Sequence, residues 1–388
     1  MTGRVILTSH RSEELEEALR ILYGVVGEGM GHATRSAVVL SHLVAAGHEI
    51  RVVVSGRAHV FLEERFGKNK SLTVEEIDGL TLRYFGNRLD RAGSLFWNLR
   101  SAPKAVRKNI KVYRKVAEDG FQPELVISDF ESFAALYALR HHVPVVSIDN
   151  MQIINRCKHP KTVKKGKGFD FRLVRLAVKA KIPHAYHYLI SSFFYPPVRR
   201  KFTTLVPPIL RDEIMTAKRE PRDHVVVYQR AVNQKVLVAM LKTLPYPFRV
   251  YGADADAEES NVTLRAFSGS DFLEDLRTAR AVVAGGGFSL MSEAVSLRIP
   301  MLAVPIEHQY EQELNARYLQ HLEYGHWSRK LTAGALDDFM KQTDACAEAL
   351  EGYKPQDNSR LFSCLDEIIE CVAQGQQRPN RLAAAAPA

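Results

Sequence analysis

At 388 residues with 46% hydrophobic content, the chain is too long for one ordinary α/β domain and comfortable for two. It carries a formal net charge of +9, has no apolar run near the roughly 20 residues that span a bilayer, and opens on no leader with a basic start and an apolar core, so a cytoplasmic location is expected. Its four cysteines, Cys157, Cys346, Cys364 and Cys371, form no C-x-x-C pair, which argues against a zinc site or a disulfide framework.

Residues 1–20 precede the first core-like strand and read as a peripheral extension. From there short β-branched runs alternate with helical patterns: a strand at 21–26, a helix at 34–46 and a strand at 50–54. Strand, helix and strand recur at 125–128, 130–141 and 145–148. Such alternation builds βαβ units and a parallel sheet. A linker at 206–222 is marked by Pro207-Pro208 and a charged stretch ending at Pro221. The alternation then restarts, with strands at 225–228, 248–251, 262–265, 281–284 and 301–304 and helices at 233–244 and 288–297. This places one domain at 21–205 and a second at 223–356. An amphipathic helix is expected at 357–374 and a low-complexity, disordered tail at 375–388.

Two glycine loops stand out. Gly27-Glu28-Gly29-Met30-Gly31-His32 follows the first strand and opens a helix, so Gly29 and Gly31 let backbone approach a ligand and free helix N–H groups face the same crevice. A dinucleotide fingerprint would need a third glycine where His32 stands and an acid ending the second strand; here that strand ends Ser55-Gly56-Arg57, which disfavours a dehydrogenase. His32 is a candidate base, because an imidazole titrates near neutrality; the plain alternative is a packing or capping histidine. The second loop, Gly285-Gly286-Gly287, precedes a helix and suits the phosphates of a ligand. Glu293 lies nearly two turns into that helix, in reach of hydroxyls beside such an anion. After the next strand come Glu307-His308-Gln309-Tyr310-Glu311-Gln312, where ligands of open α/β sheets bind.

The run from Gly285 through Ala316 resembles the donor-binding signature of UDP-sugar glycosyltransferases with the GT-B fold, the group of families 28 and 1. Within that group it is similar to the arm that contains the bacterial cell-wall N-acetylglucosaminyltransferase and the diacylglycerol glycosyltransferases. The loop Val25–His32 with Ser36, and the strand end Ile127-Ser128-Asp129-Phe130-Glu131, look most like uncharacterised teichoic-acid-biosynthesis-like glycosyltransferases. The resemblance covers about residues 21–330. It implies an α/β fold of two Rossmann-like parallel-sheet domains facing across a cleft, the first binding the acceptor and the second the nucleotide sugar. It implies that Gly285, Gly286, Gly287 and Ser289 hold the diphosphate, that Glu293 binds the ribose, that Glu311 and Gln312 contact the transferred sugar, and that Phe267 lies by the base. His32 would be the base or orient the acceptor, with Asp129 as its carboxylate partner. Where relatives have a Gly-Ser-rich loop this chain has Tyr228-Gln229-Arg230-Ala231, so Arg230 is a candidate for neutralising phosphates. Inversion at the anomeric carbon is implied as well. No cofactor and no metal are expected: Asp254-Ala255-Asp256 reads as a solvated loop, since amides and a helix dipole already serve the phosphates.

The charge is uneven. Residues 1–210 hold 33 Lys+Arg against 19 Asp+Glu, and residues 211–388 hold 20 against 25. Residues 91–115 carry eight Lys/Arg and no acid, with Phe96 and Trp97 among them; residues 153–181 carry ten against the single Asp170. Basic segments with a few large apolar residues suit an anionic membrane surface, and so a lipid, lipid-linked or polysaccharide acceptor; the plain alternative is a solvated basic face. Two other functions fit less well. A UDP-sugar epimerase of the same fold would want more carboxylates in its cleft. A nucleic-acid binder would interleave aromatics with the cations, and 158–167 contains none.

Overall fold

The computed structural model describes residues 18–27, 29–79, 83–85, 88–164, 168–229, 233–253, 256–266 and 269–383. The first half supplies β1 (Arg20–Val25), β2 (Glu49–Ser55), β3 (Leu72–Ile77), the short pair β4 (Arg83–Phe85) and β5 (Arg88–Asp90), then β6 (Leu125–Asp129), β7 (Val145–Asp149), β8 (His187–Ser191) and β9 (Thr203–Val206). Seven of these make one parallel sheet in the order β3-β2-β1-β6-β7-β8-β9. Strands such as β6 and β7 are buried at every position, as a parallel sheet covered on both faces requires.

The second half repeats the plan with β10 (Val225–Tyr228), β11 (Phe248–Ala253), β12 (Ala257–Glu259), β13 (Val262–Ala266), β14 (Ala281–Ala284), β15 (Met301–Ala303) and β16 (Gly325–Trp327). Their order is β12-β13-β11-β10-β14-β15-β16, parallel except for the β12 edge. In each sheet the strand order reverses beside its first strand, at β1/β6 and at β10/β14. Open α/β sheets bind their ligands at such reversal points.

Three terminal features bear on the domain limits. Leu19 is already buried in the first core and β1 starts at Arg20, so the extension ends earlier; residues 1–17 lie outside the described residues. Helix Ser359–Ala373 crosses back to the first domain. Its Leu361, Cys364, Leu365, Ile368 and Ile369, spaced for one helical face, pack into the core that holds Ile21, Tyr23 and Leu40. The expected disordered tail is a correction over residues 375–383. Leu382 is buried in that same core, and Arg378 lies over the Phe202 ring, because the tail offers one large apolar side chain and one cation to matching partners.

Both chain crossings between the domains meet at Asn358. Its side chain accepts from Leu210 N at 3.0 Å and donates to Leu210 O at 2.7 Å, pairing the linker as a strand neighbour would. The expected linker is therefore partly core: Leu210 and Ile214 are buried. Phe193 and Phe194, just past β8, reach across to stack on Phe288 and Tyr318 of the second domain, with ring centroids 5.9 and 3.8 Å apart. The basic segment 91–115 is part of one helix, Arg91–Glu118, with Pro103 inside it and the Asp90 side chain capping its start.

Candidate active site in the cleft

The first glycine loop follows β1 and the carboxylate Asp129 ends β6. These strands are neighbours, and Val25 lies in register with Asp129. Gly29, at φ 88°, takes a left-handed turn that a side chain would strain, and helix Met30–Ala45 starts directly after it. That start aims His32 at Asp129. One turn on, Arg35 and Ser36 sit at the i+3 and i+4 positions of the same face and meet the same carboxylate. Arg35 Nε donates to Asp129 Oδ2 at 2.8 Å, Arg35 Nη2 pairs with Oδ1, and Ser36 Oγ donates to Oδ2 at 3.0 Å.

His32 Nδ1 lies 2.9 Å from Asp129 Oδ1 and 2.7 Å from Arg35 Nη2. A neutral ring protonated on Nδ1 donates to the carboxylate and leaves Nε2 bare, whereas a ring protonated on Nε2 accepts from the guanidinium. Either way the ring is neutral: burial first, then the Arg35 charge, hold its pKa below the ordinary 6.5, with Asp129 opposing them. Burial works against ionising Asp129, but Arg35 foremost and then His32 hold its carboxyl well below the usual range. A neutral imidazole beside a fixed carboxylate is the arrangement of a general base.

The second glycine loop faces this group from the other domain. Helix Phe288–Ser296 is capped at Gly287 by no side chain, the kind of helix start whose N–H groups can receive an anion. Gly31 packs on Ser289, where an added Cβ would overlap Ser289 Oγ, so the two loops touch. Gly286 packs on the carbonyl of Gln312, and a Cβ there would overlap that oxygen; at Gly287 a Cβ would meet nothing within 4 Å. Asn315, fully buried, donates to Gly286 O and to Glu311 Oε1, both at 3.2 Å. The Gln312 side chain accepts from Ile306 N at 3.1 Å.

Glu311 and Asp149 complete a set of charges around Arg35. Burial first, then Asp149 and Asp129, lift Glu311 to about 7, against Arg35 and the Asn315 hydrogen bond. Burial first, helped by Asp129, lifts Asp149 to about 6, although Ser147 and the Gln152 N–H bond to it. Glu293 is already paired: Arg211 of the linker reaches its two oxygens at 2.9 and 3.3 Å. Burial raises the Glu293 pKa and Arg211 opposes that. At the cleft edge, Leu89 N bonds to Glu307 O at 3.0 Å and Arg88 Nε to His308 Nε2 at 2.9 Å, so β5 of the first domain leans on the loop after β15.

Thus His32, Asp129, Gly29 and Gly31 meet Gly285, Gly286, Gly287, Ser289, Glu311 and Gln312 in one cleft. Arg230 and Phe267 lie outside the described residues, as does Asp254. Asp256 is exposed and accepts from Ala266 N at 2.8 Å. Among the described residues no group of three or more His, Cys, Asp or Glu is gathered to hold a metal ion. Reading the sequence missed Arg35, Asp149, Asn315 and Arg211. Arg35 carried a signal in its i+3 spacing from His32, Asn315 one in its i+4 spacing from Glu311, and Asp149 one in ending the strand next to β6; Arg211 carried none.

Two Rossmann-like domains that face each other, with a glycine loop on each, define the GT-B class of glycosyltransferases. The chain matches the model of glycosyl transferase family 1 over residues 19–343 and belongs to that family. An uncharacterised glycosyltransferase of Methanosarcina mazei is 26% identical over 382 residues, covering 90% of this chain and 95% of that protein. Another, of Methanosarcina acetivorans, is 26% identical over 337 residues, covering 79% of this chain and 85% of its own. Among solved structures, the glycotransferase of kitacinnamycin superposes with a TM-score of 0.63 at 18% identity, covering 94% of this chain and 100% of that one. LpCGTa, solved in complex with UDP, gives 0.62 at 12% identity, with 92% and 99% covered. At such identities these likenesses concern the fold.

Proposed function

We propose that this enzyme transfers a hexosyl or N-acetylhexosaminyl group from a UDP-sugar to a hydroxyl of a lipid, lipid-linked or polysaccharide acceptor, with inversion and without a metal. The observation that carries the reading is the neutral His32, tied to Asp129 and set against the glycine loop of the facing domain. In the reaction the acceptor oxygen bonds to the anomeric carbon as the bond from that carbon to the diphosphate breaks. The hydroxyl proton passes to His32 Nε2, and Asp129 steadies the imidazolium. The leaving diphosphate gains negative charge opposite the free N–H groups after Gly287. Glu293 serves the ribose, Glu311 and Gln312 the sugar hydroxyls, and Arg230 and Phe267 the phosphates and base. The UDP complex of a fold neighbour supports that choice of nucleotide.

The acceptor side supports a peripheral site on the cytoplasmic face of the cell membrane, serving the cell envelope. On helix Arg91–Glu118 the exposed Phe96, Leu99, Val106 and Ile110 follow one stripe, and the exposed Lys104, Arg107, Lys111 and Arg114 lie beside it. An apolar stripe flanked by cations lies flat in an anionic interface. Not all of the basic charge is available: Lys108 is paired with Glu76 and Lys115 with Glu75. No helix among the described residues is long and apolar enough to cross a membrane. Calorimetric titration with UDP-, ADP-, GDP- and TDP-sugars tests the donor: a UDP-sugar should bind best, and turnover should survive excess EDTA. Equal indifference to all four donors, or activity lost to chelator and restored by Mn²⁺, would overturn the reading.

A further inference from the structure

The catalytic cleft lies at the carboxyl ends of the strands. At the opposite edge of the first sheet, before the starts of β8 and β9, the surface closes on a second pocket of about 230 Å³. That is below the roughly 300–1,000 Å³ of sites for drug-sized ligands. Five cations line it, Arg156, Lys179, Arg200, Lys201 and Arg378, with Tyr188 at its wall, and no acid is among the lining residues. Nothing in the transfer chemistry uses it.

One of these cations, Arg156, is held where charge is costly, while the other four are exposed. Arg156 is 9% exposed, and its guanidinium lies 3.6 Å from the centroid of the Tyr188 ring. Its Nε donates to Thr203 Oγ1 at 2.6 Å and its Nη2 to Lys201 O, so uncharged acceptors fix it in place. Burial first, then Arg200 and Arg199, pull its pKa down to about 10. Arg378 comes from the far end of the chain. It donates to Ala185 O at 3.4 Å and stacks on Phe202, so the tail that packs back on the first domain closes the pocket with another cation. Lys179 sits in the last turn of helix Gly168–Lys181 and suits the negative end of that helix. Gathered cations with no carboxylate repel one another, and a multiply charged anion relieves that repulsion with charge-assisted hydrogen bonds.

We propose that this pocket binds a phosphate-class dianion, either inorganic phosphate or the phosphomonoester headgroup of a lipid. The proposal does not depend on which sugar or acceptor the cleft takes. Inorganic phosphate is titrated calorimetrically into the full chain and into the variant R200Q/K201Q/R378Q, whose three side chains are exposed and leave the core intact. The variant should bind at least about tenfold more weakly, the loss expected when charged hydrogen bonds disappear. A phosphate held in the cleft would survive these substitutions, so the difference between the two proteins is what is read. Should the triple variant fold poorly, K179Q alone should still weaken binding severalfold. Sedimentation with phosphatidylcholine vesicles that carry either phosphatidic acid or phosphatidylglycerol separates the sources. Retention on phosphatidic acid beyond that on phosphatidylglycerol at equal charge, lost in the variant, assigns the pocket to a headgroup; phosphate binding without that excess assigns it to a soluble anion. Equal phosphate affinity in the variants and the parent chain, or binding of neither probe, overturns the proposal.

Discussion

His32 shows how few neighbours set the state of a base. Burial and Arg35 keep its ring neutral while Asp129 holds it in orientation. His32→Ala should lower kcat by about 10²–10⁴ and leave nucleotide affinity nearly unchanged, measured by steady-state kinetics beside UDP titration. Because its pKa is lowered, kcat/KM should hold as pH falls to 6.5 and decline only below it. Removing Arg35 takes away a lowering influence, so Arg35→Gln should move that acid limb to higher pH. An acid limb that stays put in both variants would assign the titration to another group.

Glu293 is the residue whose surroundings differ most from the expectation. The sequence suggests a free ribose acceptor, and the structure ties it to Arg211. Each carboxylate oxygen has a second lone pair, so the ribose can share Glu293 with Arg211, which opposes the rise in pKa that burial imposes. Glu293→Ala should weaken UDP binding about tenfold to a hundredfold, from the loss of hydrogen bonds to a charged group of about 1.5–3 kcal/mol. Arg211→Ala should weaken it less. Unchanged UDP affinity in Glu293→Ala would mean that the ribose lies elsewhere.

At the scale of elements, the glycine loop between β14 and helix Phe288–Ser296 divides its labour. Gly286 is small so that the loop can rest on Gln312, whereas Gly287 borders open space with an ordinary φ of −65°. Gly286→Ala should therefore destabilise the protein by about 1–3 kcal/mol, the usual cost of overpacking, seen as a lower melting temperature. Gly287→Ala should leave melting nearly unchanged and weaken UDP binding by crowding the N–H groups. If the two variants behave alike, the loop has no such division. Four strands of the first sheet and five of the second were legible because parallel strands buried on both faces read as unbroken β-branched runs, whereas β3, β8, β9, β12 and β16 were not read from the sequence. Helix Arg91–Glu118 was not, since Pro103 and a polar pattern mask its period; only its packing on the sheet through Val112 and Val116 reveals it.

At the scale of the molecule, helix Arg91–Glu118 turns exposed cations and apolar side chains to the surface of the first half. Vesicles containing phosphatidylglycerol should retain the protein at low salt and release it as salt rises. Retention should drop when Lys104, Lys111 and Trp97 become Gln, Gln and Ala. A protein that stays in the supernatant with anionic and neutral vesicles alike would point to a soluble acceptor.

Resemblance to GT-B glycosyltransferases suggested the pair of His32 and Asp129, while the sequence by itself determined the two βαβ repeats and the two glycine loops. These rest on local rules, in which periodicity names the element and glycine before a helix marks a place where backbone can approach a ligand. Tertiary structure alone decided what surrounds them. Arg211 reaches Glu293 across 82 residues, Asn358 pins Leu210 across 148, and Arg378 donates to Ala185 across 193. Such pairings depend on how two sheets stack and where the chain recrosses between them. No local period or spacing encodes that, because the free energy that selects it comes from burying side chains far apart in the sequence.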